Sequence, residues 1–360
     1  VHSLLERFVR RRDERPADGG PATVPWDGVP WEFAPPERIV AVGDVQGDLC
    51  ALDAILRGAG LVDRGGAWRG GRQHLVLLGD LVGGHADGRL AVQYAMRLED
   101  EAARAGGAVH ALIGNHDLLP ARGDVHKWTT RERGLYRRHP LPADTSVRDA
   151  FRGDTPLAKW LRGRNALVRI GDTLFAHAGL DEWFAHTRPG DVNATVRRWI
   201  GHWQGRADEP PRATRWAVGV PRMERYSPFA RGPLWTRGFK PDGDGRPRGG
   251  PARRELAQWL RSAGIARLVL GHAPVDGPGI ALEHPYYGGL VVLTDTRISD
   301  GAHGCLSALE LTRHGPAALR FAADLRDPEC RRRERRRLAE QTTARPPWWL
   351  RLWRALCGRP

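Results

Sequence analysis

The stretch Arg38-Ile39-Val40-Ala41-Val42-Gly43-Asp44-Val45-Gln46-Gly47-Asp48 decides the fold. Four apolar residues, Ile39 to Val42, end abruptly in a Gly-Asp pair, the pattern of a buried strand with a functional carboxyl end. The same transition recurs where Leu75 to Leu78 meets Gly79-Asp80 and where Val109 to Ile113 meets Gly114-Asn115. Between these runs, Leu49 to Leu56 and Arg89 to Ala105 carry apolar residues at three-and-four spacing, as helices packing on a sheet do. Alternating strand and helix predicts an α/β architecture. Later strands are expected at Ala166 to Ala176, with Gly171-Asp172 as a turn, at Ala266 to Leu270 and at Leu290 to Leu293. The first two of these also end in His-containing clusters.

Around this centre, residues 1–37 read as an extended lead-in, because Pro, Gly and Asp dominate 13–37 with two isolated Trp. Residues 38–325 form the main domain and 326–360 a basic tail. The region from Trp183 to Gly250 is rich in Trp, Arg, Pro and Gly with poor periodicity, so an insertion or cap is expected there. The chain has 360 residues, a formal net charge of +14 and 41% hydrophobic content, enough for a sizeable core. Residues 331–360 hold ten Arg against two Glu, more than half of the excess charge. The body is only mildly basic, Arg-rich runs are usually solvated faces, and no nucleic-acid partner is expected. Cys50, Cys305, Cys330 and Cys357 form no CxxC pair, which favours a reducing compartment. With no apolar run of membrane-spanning length and no secretory signal pattern, a cytoplasmic location is expected.

Five polar clusters fall at predicted carboxyl ends of strands, the edge where open α/β sheets bind ligands. They are Gly43 to Asp48, Gly79-Asp80, Gly114-Asn115-His116-Asp117, His177-Ala178-Gly179 and Gly271-His272. The candidates drawn from them are Asp44, Gln46, Asp80, Asn115, His116, His177 and His272. Carboxylate, amide and imidazole groups without thiolate suit Mn, Fe or Zn. Phosphate-ester hydrolysis needs neutralised oxygens, an activated water and a proton donor; two metal ions about 3.5–4 Å apart supply the first two. A shared carboxylate such as Asp80 would hold them at that separation, and His116 beside them could donate the proton. Lone Asp and Asn commonly cap helices or turns, so the weight lies in five such clusters occurring together.

Taken in order, the clusters resemble the calcineurin-like metallophosphoesterases, and among them the phosphoprotein-phosphatase branch. Thr173 to Leu180 and Gly232-Pro233-Leu234-Trp235-Thr236-Arg237-Gly238 are similar to the Shewanella-like phosphatases. The resemblance spans Arg38 to Leu311. It implies an α/β sandwich of central sheets flanked by helices and a phosphatase using two divalent metal ions, Mn or Fe with Zn as the alternative. Asp44, Gln46 and Asp80 would bind the first metal, and Asp80, Asn115, His177 and His272 the second. His116 would be the general acid. Arg237 is the candidate for gripping phosphate, because a guanidinium binds two phosphate oxygens at once. The implied substrate is a phosphorylated protein or a small phosphoester.

Two departures from the family pattern stand out. Gln46 occupies a position usually held by His, as in some diadenosine tetraphosphatases, and a neutral amide is the poorer ligand. After Asp80 the family reads Asp-X-X-Asp-Arg-Gly, whereas this chain has Leu81-Val82-Gly83-Gly84-His85. Substitutes for the missing Asp and Arg would come from Asp87, His85, Arg89 or Arg122. The alternatives are therefore a diadenosine polyphosphate hydrolase, or a degenerate phosphatase that binds phosphorylated partners without turnover. His74, His110, His126 and His303 match no cluster and read as core or solvated residues, and Trp128, Trp183 and Trp235 as core residues or cleft lining. In the tail, Trp349, Leu352, Trp353 and Leu356 share one helical face, with Arg351 and Arg354 opposite. That segment either touches an anionic membrane surface peripherally or docks on the main domain.

Overall fold

A computed structural model describes residues 23–85, 87–124, 147–180, 187–218, 232–277, 279–300 and 303–343. Strand β1 is Glu32–Phe33 and β2 is Arg38–Val42. Helix α1, Leu49–Gly58, starts at Asp48, whose side chain accepts the amide of Ala51 and so satisfies an otherwise open helix donor. Then come β3 (His74–Leu77), α2 (Gly88–Arg104), β4 (Ala108–Ala111) and α3 (Asn115–Ala121). Helix α4, Pro156–Arg162, has the Thr155 hydroxyl as its cap, and the hairpin β5 (Leu167–Ile170) and β6 (Thr173–Ala176) follows. Helices α5 (Pro189–Trp203) and α6 (Arg253–Ser262) precede β7 (Arg267–Leu270) and β8 (Val291–Leu293). The hairpin β9 (Ser307–Thr312) and β10 (Gly315–Arg320) and helix α7 (Glu329–Thr343) complete the order.

The strands form two five-stranded sheets, ordered β1-β5-β6-β7-β8 and β10-β9-β2-β3-β4. In one, β2, β3 and β4 run parallel; in the other, β6, β7 and β8 do. Period-two alternation assigns each strand residue to a layer. Ile39, Ala41, Val76, Phe175, Val269 and Val292 meet between the sheets. Their neighbours Val40, Val42, Leu75 and Leu77 pack with α1 and α2 on one outer face. On the other outer face Leu174, Leu268, Leu270 and Val291 pack with Leu256 and Leu260 of α6. Each fully buried aliphatic side chain contributes about 1.5–3 kcal/mol, so both faces of both sheets stabilise the sandwich.

The predicted strands and helices are present, with bounds moved by one or two residues. Helices α3, α4, α6 and α7 are additions to the sequence reading, and three further additions bear on the architecture. Glu32–Phe33 lies inside the expected lead-in yet pairs in parallel with Arg169–Ile170. The β9–β10 hairpin closes the second sheet beside β2. Helix α5 crosses the Trp/Arg-rich region, where Val192, Val196, Trp199 and Ile200 follow helical spacing. That stripe is masked because Asn193, Thr195 and Arg197 are also buried. Asn193 binds the amides of Ala166 and Leu167 and the carbonyl of Leu167, tying α5 to the start of β5. The segment Trp349 to Leu356, Trp128, Trp183 and His126 lie outside the described residues.

Candidate metal centre

The carboxyl ends of β2, β3 and β4 in one sheet meet those of β6, β7 and β8 in the other. Asp44, Asp80, Asn115, His177 and His272 all follow these strand ends and are all buried. The amide of His272 donates to Asp44 Oδ1 at 2.8 Å, and His177 Nδ1 donates to the Leu78 carbonyl at 2.8 Å. Both bonds join the two sheets at the site. Ligand atoms of Asp80, His177 and His272 lie within 4.8 Å of one another. Close approach requires residues without side chains: a Cβ at Gly114 would sit 2.1 Å from Asp80 Oδ1, and one at Gly271 2.6 Å from Asp44 Oδ1.

The donor set fits a cation. His177 Nδ1 donates to Leu78, and in that tautomer the lone pair is on Nε2, 2.9 Å from Asn115 Oδ1 and 3.5 Å from Asp80 Oδ1. Three acceptor atoms facing one another repel unless a positive charge lies between them. His272 Nε2 is likewise buried without a hydrogen-bond partner. The carboxyl groups show the same deficit. Burial, then the charge of Asp295, then that of Asp80, holds the Asp44 carboxyl well above the usual range. Burial and Asp80 push Asp117 up to about 8. His272 is held well below ordinary imidazole basicity by burial, then by His177, then by Arg237. A lone-pair nitrogen and clustered carboxylates are what a divalent ion requires.

Backbone strain coincides with candidate ligands. Gln46, Asp80 and His272 have φ values of 46°, 50° and 59°, and among described residues only Arg297 joins them as non-glycine in that region. Such conformations cost on the order of 1–3 kcal/mol each and persist where surrounding structure fixes them. Here Gln46 donates its amide to the Asp80 carbonyl at 2.7 Å, and its own carbonyl accepts the amide of His85 at 2.8 Å. The loop carrying Gln46 is thereby strapped to the loop carrying Asp80.

His116 opens α3, and its amide donates to Asp80 Oδ1 at 2.8 Å. Its Nε2 stands 3.9 Å from Asp80 Oδ2, at the partly open edge of the site. Gly83, where the family pattern has Asp, has φ 88°, and a Cβ there would lie 2.6 Å from His116 Nδ1. The His116 ring thus uses space that a side chain at 83 would need. Of the expected substitutes, Asp87 is turned to Arg331 of the tail, and Arg122 stacks over the Trp203 ring at 5.4 Å. Arg89 is buried and His85 half-buried. Arg237 is exposed on the rim and, among described residues, holds no ion pair. Trp235 is a core residue whose Nε1 donates to the Val218 carbonyl. His74 and His110 pair with each other on adjacent strands, away from the site, and His303 is exposed.

Two residues were missed as site members. Asp295 follows β8 in the run Leu293-Thr294-Asp295, the same apolar-to-polar transition that located the other clusters. Its carboxyl is raised by burial, and its Oδ1 accepts the amide of Arg297 at 3.0 Å. Asp117 accepts the amides of Val82 and Gly114, at 3.2 and 2.9 Å, and so ties the Asp80 loop to α3.

Comparison with known proteins agrees with this arrangement. Shewanella-like protein phosphatase 2 of Arabidopsis thaliana is 28% identical over 211 residues, 48% of this chain and 54% of that protein. Shewanella-like protein phosphatase 1 of Plasmodium berghei is 24% identical over 172 residues, 48% of this chain and 46% of its own length. The chain thus spans about half the length of either relative. The crystal structure of a cold-active protein-tyrosine phosphatase from a psychrophilic Shewanella species superposes with a TM-score of 0.64. It is 21% identical, covering 81% of this chain and 82% of that one, and so shares the fold. Residues 37–276, which carry every candidate ligand, match the sequence profile of the calcineurin-like phosphoesterases, and the chain belongs to that family.

Proposed function

We propose that this chain is a metal-dependent phosphatase that hydrolyses phosphate monoesters, with phosphorylated protein as its substrate class. The observation that carries the reading is the convergence of acceptor-only atoms from Asp80, Asn115 and His177 beside the unpartnered His272 Nε2. Asp44, Gln46 and Asp80 would hold one divalent ion, and Asp80, Asn115, His177 and His272 a second, with Mn or Fe favoured by the thiolate-free set. When bound, such ions neutralise phosphoryl oxygens and lower the pKa of an attacking water. His116, held by its amide on Asp80, hands a proton to the leaving oxygen from the open edge of the site. Arg237, charged and exposed, grips the phosphate and orients it. The names of the two curated relatives, both protein phosphatases, support a phosphoprotein substrate.

Elemental analysis of the purified chain paired with turnover of p-nitrophenyl phosphate and of a phosphopeptide tests the proposal. We expect bound divalent metal and turnover abolished by chelation. His116→Ala should slow turnover by about 10²–10⁴-fold, the range for a lost general acid, while metal content is retained. Full turnover in the chelated protein would refute the metal-dependent reading.

A further inference from the structure

Cys50 and Cys330 are 280 residues apart in sequence, yet their sulfurs lie 2.6 Å apart. Both thiols are buried, Cys50 on α1 and Cys330 near the start of α7. We propose that this pair is a redox-modification site: a dithiol that closes to a disulfide and covalently fastens the C-terminal helix to the back of the metal-site loops.

Charge pairing already holds α7 in that place. Arg331 pairs with buried Asp87, Arg333 with Asp53 at 3.2 Å, and Glu334 with Arg97 at 2.8 Å. Just before the helix, Arg326 approaches Asp48 at 3.4 Å. Two of these carboxylates belong to the loops that carry the site. Asp48 lies two residues after Gln46, and the amide of Asp87 donates to the Gly47 carbonyl at 3.0 Å. These ion pairs fix the helix register and bring the sulfurs together in each closure of the helix. Covalent S–S bonding at about 2.05 Å requires only a small further approach.

The chemistry balances with a glutathione-type disulfide as oxidant. Cys50, on core helix α1, is uncovered as α7 lifts and loses its proton to solvent, which makes it the attacking sulfur. Its thiolate attacks one sulfur of the oxidant and expels a glutathione thiolate. Cys330 then attacks the Cys50 sulfur of the mixed disulfide and expels the second glutathione, whose thiolate takes the Cys330 proton. Two protein thiols and one disulfide become one protein disulfide and two glutathione thiols. The exchange proceeds when α7 lifts, since the closed helix buries both sulfurs.

The test equilibrates the reduced full-length chain with mixtures of glutathione and glutathione disulfide, quenches in acid and maps linked peptides by mass. We expect a Cys50–Cys330 peptide two hydrogens lighter than its reduced parts, absent in Cys50→Ser and in Cys330→Ser. Low-dose trypsin should cut α7 at Arg332 and Arg336 on the order of tenfold more slowly in the oxidised form, because the bond suppresses local opening. Three results overturn the proposal: both thiols still free at the oxidised end when Cys305 has reacted, glutathione retained on Cys50 without linkage, or preferential linkage of either residue to Cys305 or Cys357. Equal trypsin rates in the two redox states overturn the fastening of the helix. None of these measurements reads phosphatase turnover, so their failure is separable from failure of the proposed function.

Discussion

Asp80→Asn should stabilise the metal-free protein while removing its response to metal. Asp80 sits beside Asp44, Asp117 and Asp295, and its charge contributes to the raised carboxyl pKa of each. Two carboxylates about 5 Å apart repel by about 3 kcal/mol at an effective dielectric near 20. The raised pKa of each neighbour means that proton uptake relieves part of that repulsion, and a gain of about 1–2 kcal/mol is expected on neutralising Asp80. Asn is near-isosteric, retains an oxygen to accept the His116 amide, and tolerates the left-handed backbone at this position. With unfolding entropy scaling with chain length, the gain corresponds to a rise of about 2 °C in Tm in the presence of a chelator. Metal should act oppositely. At a hundredfold excess over Kd, wild type gains about 2.7 kcal/mol from one bound ion, whereas the variant should gain less than half of that and lose nearly all turnover. Thermal unfolding with chelator and with graded Mn²⁺, alongside turnover, measures both arms. A variant less stable than wild type in chelator, or equally stabilised by Mn²⁺, would refute the claim that a shared carboxylate sits among like charges to hold metal.

Other expectations follow from the same geometry. Gln46→His should raise turnover at limiting metal, since imidazole replaces a neutral amide ligand; an unchanged metal titration of activity would show that Gln46 is not a ligand. Gly83→Asp, which restores the family residue, should lower rather than raise activity and destabilise by about 2–3 kcal/mol, because φ 88° and the 2.6 Å approach to His116 admit no side chain; urea unfolding and turnover check it. In chelator, stability should fall as pH rises from about 4 to about 8. The folded state keeps a proton on Asp117 up to about pH 8 that the unfolded chain has released, and the carboxyls of Asp44 and Asp295, raised in the same direction, act with the same sign. The slope approaches about 1.4 kcal/mol per pH unit for each such proton, and saturating metal should flatten or reverse it. Stability that rises with pH across that window in chelator would contradict the raised carboxyl pKa values.

Much of the candidate site was legible in the sequence because parallel strands place polar residues at their carboxyl ends, where an apolar run stops at a polar one. Asp44, Asp80, Asn115, His177 and His272 each mark such a stop, so local pattern located them individually. The same local logic missed Asp295, whose run ends in Thr294-Asp295 without the glycine that flagged the others. Helix α5 escaped because its buried face includes Asn193, Thr195 and Arg197, polar residues whose partners lie elsewhere in the chain. Only the tertiary structure brought the two triplets of parallel strands edge to edge, with cross-sheet bonds from His272 to Asp44 and from His177 to Leu78. Only it showed that His116 fills the space over Gly83, and that the basic stretch from Arg331 docks on Asp87 and Asp53 and seats Cys330 against Cys50. The sequence determined which groups end each strand, since that depends on neighbours in the chain. Convergence of those groups, their raised carboxyl pKa values and the pairing of two cysteines 280 residues apart depend on long-range packing, which no local pattern encodes.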